Sequence, residues 1–297
     1  MPMSAASTRR HLTDRDVEIL QALDRCPLTA QQFLKLSQAF AGQCFTSIRS
    51  VQDRLQKLRQ AGWIQGWPYA FPVRGGSPDY YRLTLLGFRL LHGEHTPSPA
   101  KRHFSELHVA RHHHSHSLAE FLVHTLTAAH RRRILLKNFY RENTLPLPVA
   151  GVVAYPDSVF ELHMTDGRQF NFLVELDNGT ERLRSDKDTE SWQKKIRLYN
   201  LLQDRTYPDR FRLLVVCTRC SGRLRAILDL AAQHATNPHR ALLYGVHLDD
   251  YLREPDALCA PCFRNHRHEA VALVSGTTTV AVAAHPAQVA VATPSLW

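Results

Sequence analysis

Asp157, Glu175 and Asp177 fall within one stretch of alternating polar and apolar residues, Tyr155 to Glu181, and their spacing could bring them together on one surface. Phe160, Leu162 and Met164 alternate with Glu161 and His163; Phe170, Phe172, Val174 and Leu176 alternate with Gln169, Asn171, Glu175 and Asp177, with Leu173 the one apolar residue among the latter. This period of two predicts a β-hairpin around Thr165-Asp166-Gly167. A two-residue loop at Asp166-Gly167 would set polar residues against apolar ones. A three-residue loop with a left-handed Gly167 sets Phe160 opposite Phe172 and Leu162 opposite Phe170. A slip of one residue turns every side chain to the other face, so the apolar pattern selects the longer loop. Asp157 then lies opposite Glu175, with Asp177 two residues further along the same face. Acids this close repel each other unless a cation neutralises them, and an all-oxygen set suits Mg²⁺ or Mn²⁺. A solvated polar face with Asp157 and Asp177 at strand ends, where turns favour Asp, is the other reading. The pattern leaves both open.

Two further groups could bind metal. Cys217-x-x-Cys220 and Cys259-x-x-Cys262 have the pairing of a Cys₄ zinc site, with His266 and His268 as alternative ligands. Against this, Cys217 ends a predicted strand and could be a simple buried thiol. The run His112-His113-His114-Ser115-His116 lacks the fixed spacing and the carboxylate or thiolate company of a ligand set, and reads as a solvated, basic helix face. The two-histidine motif of rolling-circle relaxases needs an apolar residue between its histidines. Neither His114-Ser115-His116 nor His266-Arg267-His268 supplies one.

The elements ahead of these groups are legible from caps and periodicity. Thr13 with Asp16 is a capping box opening a helix through Val17, Ile19, Leu20 and Leu23 that Pro27 ends. Thr29 to Gln32 repeats the cap before Phe33, Leu34 and Leu36. A third helix runs from Ser47 to Ala61, apolar at Ile48, Val51, Leu55 and Leu58, and stops at Gly62. Trp63-Ile64-Gln65 and Tyr80 to Leu83 read as a hairpin with a long loop containing Arg74, followed by a helix from Thr84 to Leu91. LQKLRQAGWI followed by YYRLTLLGFRLL resembles the winged helix-turn-helix family. That resemblance implies double-stranded DNA as partner, with Ser47–Ala61 in the major groove. Arg49 would reach a guanine, Ser50 and Lys57 phosphate, with Arg54 at the edge of the same face and Arg74 at the wing tip.

Pro156-Asp157 followed by Glu175-Leu176-Asp177 across the hairpin is similar to the PD-(D/E)xK signature of restriction-endonuclease-like folds. The element order agrees: helix, strand, strand, helix (about 188–203), strand (211–217), helix (221–235), strand (240–247). Such folds expect a lysine two residues after the Glu, where this chain has Asp177. In some members the following helix supplies it, which makes Lys195 of WQKKIRLYN the candidate and Lys194 the second. With VELDNGTE and KIRLY, the chain resembles the replication-relaxation family of plasmids and other mobile elements over about residues 12–252. The resemblance implies either a Mg²⁺-dependent endonuclease or nickase, or a non-catalytic DNA-binding factor on a retained nuclease fold.

The bulk properties fit this partition. The chain has 297 residues and a formal net charge of +10. Residues 1–133 hold 18 Lys and Arg against 9 Asp and Glu, and residues 134–297 hold 19 against 18. A basic first part suggests a polyanionic partner. No apolar run is long enough to span a membrane and no apolar leader opens the chain, so a cytoplasmic protein with six reduced cysteines is expected. The expected organisation is α/β: a winged helix-turn-helix over 1–95, a linker and connecting helix over 96–133, a three-layer restriction-endonuclease-like domain over 134–255, and a low-complexity tail over 256–297. A homodimer is compatible with the sequence.

Overall fold

Each helix of the N-terminal part forms where a side chain caps it. In the computed structural model, which describes residues 12–71, 76–185, 191–206, 210–237 and 240–274, helix α1 (Asp14–Arg25) begins with a complete Thr13–Asp16 capping box. Strand β1 (Leu28–Thr29) leads into α2 (Ala30–Leu36), capped by Thr29 and Gln32. Helix α3 (Ile48–Gln60) is capped by Ser47 and buries Val51, Leu55 and Leu58. Strands β2 (Ile64–Pro68) and β3 (Asp79–Leu83) pair with Ile64 against Leu83, and β1 joins the other side of β3 to make a three-stranded sheet. The two-residue strand β1 is too short for a periodic signal and was not expected. Helix α4 (Leu85–His92) closes this part. Gly87 lets it do so: a Cβ there would stand 2.1 Å from the Trp63 carbonyl oxygen.

The connecting helix is shorter than expected. Two 3₁₀ turns, Lys101–His103 and Val109–Arg111, precede α5 (His112–Arg131). The histidine run is no solvated face: His112 and His114 are buried. His112 Nδ1 accepts the Ala70 N–H at 2.8 Å, its ring packs edge-on to Tyr69 and Tyr80, and His113 stacks on Phe71. The first turn of α5 is therefore locked to the end of β2.

Seven strands form the main sheet, in the order β12-β11-β10-β9-β8-β7-β4. They are β4 (Leu135–Tyr140), β7 (Ser158–His163), β8 (Gln169–Asp177), β9 (Phe211–Cys217), β10 (Leu243–His247), β11 (Phe263–Asn265) and β12 (Ala270–Val271). β8, β9 and β10 are parallel and the remaining pairings antiparallel. A separate ribbon of β5 (Leu147–Val149) and β6 (Val152–Ala154) stands beside it. The hairpin register is the one the apolar pattern selects: Phe160 pairs with Phe172 and Leu162 with Phe170. Met164 and Arg168 close the three-residue loop with a 2.8 Å hydrogen bond, and Gly167 is left-handed at φ 85°.

Both faces of this sheet are covered. Phe160, Phe172, Val174, Leu214 and Val216 pack with Phe121, Leu122 and Leu126 of α5, in a core that runs on into Ile19, Phe33 and Leu55 of the N-terminal helices. Leu173, Leu213 and Val215 face the other way, onto Ile196 and Tyr199 of α6 (Trp192–Arg205) and Ile227 and Leu228 of α7 (Ser221–Gln233). The chain is thus a mixed α/β protein whose sheet lies between helical layers. Beyond α8 (Leu248–Arg253), the stretch from 256 that was expected to begin a tail adds β11 and β12 to the sheet edge and buries Leu273 and Val274, because these apolar residues extend the same core. The rest of that stretch, 275–297, lies outside the described residues. Among the described residues, no helix is long and apolar enough to cross a membrane.

Candidate active site

The C-terminal end of β8 meets the start of β7, the first turn of α5, the loop after β4 and one side of α6 around a cleft of about 440 Å³. Asp157, Glu175, Asp177 and Lys195 all line it. Asp157 sits one residue before β7, where its N–H bonds the Val174 carbonyl at 2.9 Å and its Oδ2 accepts the Leu176 N–H at 2.8 Å. This places it across the hairpin end from Glu175, as the register requires. Burial raises the Asp157 carboxyl, but the His114 imidazole beside it and the Leu176 N–H outweigh burial and hold it below the usual carboxylate value.

Glu175 is buried under α6. Its Oε2 takes a hydrogen bond from Lys195 Nζ at 2.8 Å, and its Oε1 takes one from the Tyr199 hydroxyl. Lys195 and Tyr199 sit one helical turn apart, so both reach Glu175 from one face of α6. Burial pushes the Glu175 carboxyl up to about 7 against the pull of Lys195, and the charge of Asp157 adds to the rise. Burial alone would lower Lys195, but Glu175 and Glu181, the latter 2.6 Å away, raise it above its ordinary value. Tyr199 is raised by burial and by Glu175, and so stays a donor. Lys194 lies on the cleft wall.

Asp177 is spent differently. Its oxygens take a bidentate pair from Arg223 at 2.8 and 2.9 Å, and Trp192 Nε1 donates to Oδ1 at 2.9 Å. Burial raises its pKa, yet these donors win and leave it below the usual value. Asp177 therefore ties α6 and α7 to the end of β8, and the expectation that three carboxylates converge on one point is not met. The period-2 pattern put Asp177 on the right face but could not show that Arg223, from a helix 46 residues on, would claim it.

Among the described residues, one group of three or more His, Cys, Asp or Glu side chains brings ligand atoms within 4.8 Å of each other: His114, Glu142 and Asp157. Sequence reading missed it, because Glu142 and Asp157 lie 28 and 43 residues beyond His114 and no local spacing links them. The four cysteines form no such group. Cys217 is buried at the end of β9 facing Asp177 at 3.7 Å, Cys220 is exposed, and Cys262 Sγ turns to the Ala257 carbonyl.

Of the residues assigned to DNA contact, Arg49 and Lys57 are exposed on α3. The Ser50 hydroxyl donates to the Ser47 carbonyl within the helix cap at 2.7 Å. Arg54 forms a bidentate ion pair with the buried Asp16 of α1, so its charge serves helix packing. Arg74 lies outside the described residues.

The chain is a mixed α/β protein with an acid pair and a helix-borne lysine in a cleft at the ends of its parallel strands. More particularly, the chain belongs to the replication-relaxation family, whose profile matches residues 22–211. That span holds Asp157, Glu175, Asp177 and Lys195, and membership points to a role in the replication or relaxation of mobile elements. No curated protein and no solved structure matches the chain.

Proposed function

We propose that this protein binds duplex DNA of a plasmid or mobile element and nicks or cuts it in a metal-dependent reaction, on a winged helix-turn-helix joined to a restriction-endonuclease-like domain. The observation that carries this reading is the approach of Lys195 from α6 to Glu175, with Asp157 across the hairpin in the same cleft. Asp157 and Glu175 offer the hard oxygen donors that Mg²⁺ or Mn²⁺ prefers, and a buried, repelled carboxylate such as Glu175 gains most from a cation. A bound divalent ion would polarise the scissile phosphate and lower the pKa of a water. Lys195 is placed to stabilise charge developing on the phosphate. Tyr199 fixes the Glu175 carboxylate through Oε1. A second cleft of about 450 Å³ adjoins the first through Arg111 and Asp157, and the exposed Arg102 and Arg111 line it where a phosphate could approach. Zinc at the cysteines has no support from this geometry.

Supercoiled plasmid incubated with the full chain and Mg²⁺ or Mn²⁺ should yield relaxed or linear product. Asp157→Asn and Glu175→Gln should each reduce the product by two or more orders of magnitude while duplex binding persists. A specific observation favours a second reading, a non-catalytic DNA-binding replication factor: Asp177 occupies the motif lysine's position and is consumed by Arg223. No product with either metal, from protein that binds DNA, would establish that second reading instead.

A further inference from the structure

The nuclease reading uses Asp157 and Glu175 and leaves His114 and Glu142 without a role. Three separate elements bring these two residues to Asp157. His114 stands in the first turn of α5, which His112 anchors to the end of β2. Glu142 follows β4, and Asp157 precedes β7. His114 Nε2 lies 3.0 Å from Asp157 Oδ1 and 3.7 Å from Glu142 Oε1. His114 is nine-tenths buried, and its Nε2 is closed to solvent, at ion-pair distance from Asp157 but out of line for a hydrogen bond. Either a proton on Nε2 or a bound cation can satisfy these facing acceptors, and a cation bridges all three at once. Arg111 reaches Glu142 from the outside and offsets part of the negative charge.

We infer that His114, Glu142 and Asp157 form a divalent-metal site, and that its imidazole ligand makes it a site for a first-row transition ion such as Mn²⁺ in preference to Mg²⁺. The chemistry of the donors carries this. Mg²⁺ demands oxygen ligands in near-ideal octahedral geometry and keeps several waters, whereas first-row transition ions, Mn²⁺ the weakest of them, accept an imidazole nitrogen beside carboxylates. One nitrogen and two carboxylate oxygens from three elements leave open positions for water or a phosphate oxygen. The inference rests on the proposed role of Asp157 as an ion ligand, and it adds the other ligands and the identity of the ion.

Calorimetric titration of the full chain with Mn²⁺ and separately with Mg²⁺, without DNA, tests it, with Mn²⁺ electron paramagnetic resonance to count sites. One Mn²⁺ should bind per chain, at least about tenfold more tightly than Mg²⁺. His114→Ala and Glu142→Gln should each weaken Mn²⁺ by about ten- to a hundredfold, and His114→Ala should bring the two ions within a fewfold of each other. His114→Asn, with circular dichroism as control, guards against misfolding. Equal affinity for the two ions in the unaltered chain, an unchanged preference in the His114 variants, or no Mn²⁺ binding would overturn the inference, whether or not plasmid is relaxed. Plasmid left supercoiled by protein that binds Mn²⁺ as described would remove the nuclease reading and leave this site standing.

Discussion

Glu175 is the residue on which the chemistry and the stability of the site both turn. Its carboxyl is raised to about 7 from an ordinary 4.5, chiefly by burial. A folded-state pKa above the unfolded value means that the unfolded chain releases its proton first, so the stability this group contributes is present below about pH 4.5 and lost as pH rises towards 7. Glu175→Gln should therefore flatten the pH dependence of thermal stability across that window, as read by melts at intervals of half a pH unit. An unchanged profile would show that Glu175 titrates normally. If the protein nicks DNA as proposed, nicking should rise over the same window, since the ionised carboxylate is the one that can bind a cation. Asp177 makes the opposite case. Asp177 and Trp192 are buried and Arg223 is half-buried; Asp177→Ala would leave the Trp192 indole without its acceptor and Arg223 with the Glu181 carbonyl alone, at a cost of about 1–3 kcal/mol. Denaturant titration measures this loss, and a change under 1 kcal/mol would return Asp177 to the set of free acids.

At the scale of elements, α3 and α6 each divide their charges between those engaged inside the protein and those left at its surface. On α3, Val51, Leu55 and Leu58 fill the core and Arg54 pairs with Asp16, which leaves Arg49 and Lys57 exposed. Arg49→Ala and Lys57→Ala in the full chain should each weaken duplex binding. A lost phosphate contact should also lower the slope of log affinity against log salt by about one. Affinity and slope unchanged in both variants would remove α3 as the DNA-contacting helix. Arg54→Ala should lower stability more than affinity. On α6, Ile196 and Leu202 are buried against the sheet while Lys195 and Tyr199 reach Glu175.

The whole molecule is less divisible than its charge distribution suggests. The basic first part and the balanced second part share one apolar core through α5. Polar ties reinforce the junction: Gln32 Nε2 to Glu120 at 2.9 Å, Lys35 to Glu120 at 3.0 Å and Arg141 to Asp24 at 2.8 Å. Calorimetry of the intact chain should accordingly show a single cooperative transition. Two resolved transitions would mean that the N-terminal part unfolds on its own.

From residue types and order alone came the capping boxes at Thr13 and Thr29, helix α3 with Gly62 behind it, the strand Phe211–Cys217 and the hairpin register that sets Asp157 across from Glu175. These depend on periodicity and on turn chemistry within a few residues, and such signals survive in a linear text. Lys195 was named through the resemblance to restriction-endonuclease-like folds, some of which draw this lysine from the helix after the hairpin. What the tertiary structure decided depends on contacts between distant segments. Arg54 and Arg223 were claimed by Asp16 and Asp177, and β11 and β12 completed the sheet edge. His114 was turned from an apparent surface histidine into a buried neighbour of Asp157 and Glu142. Which charge meets which carboxylate is set by how whole layers pack, and no local pattern records that packing.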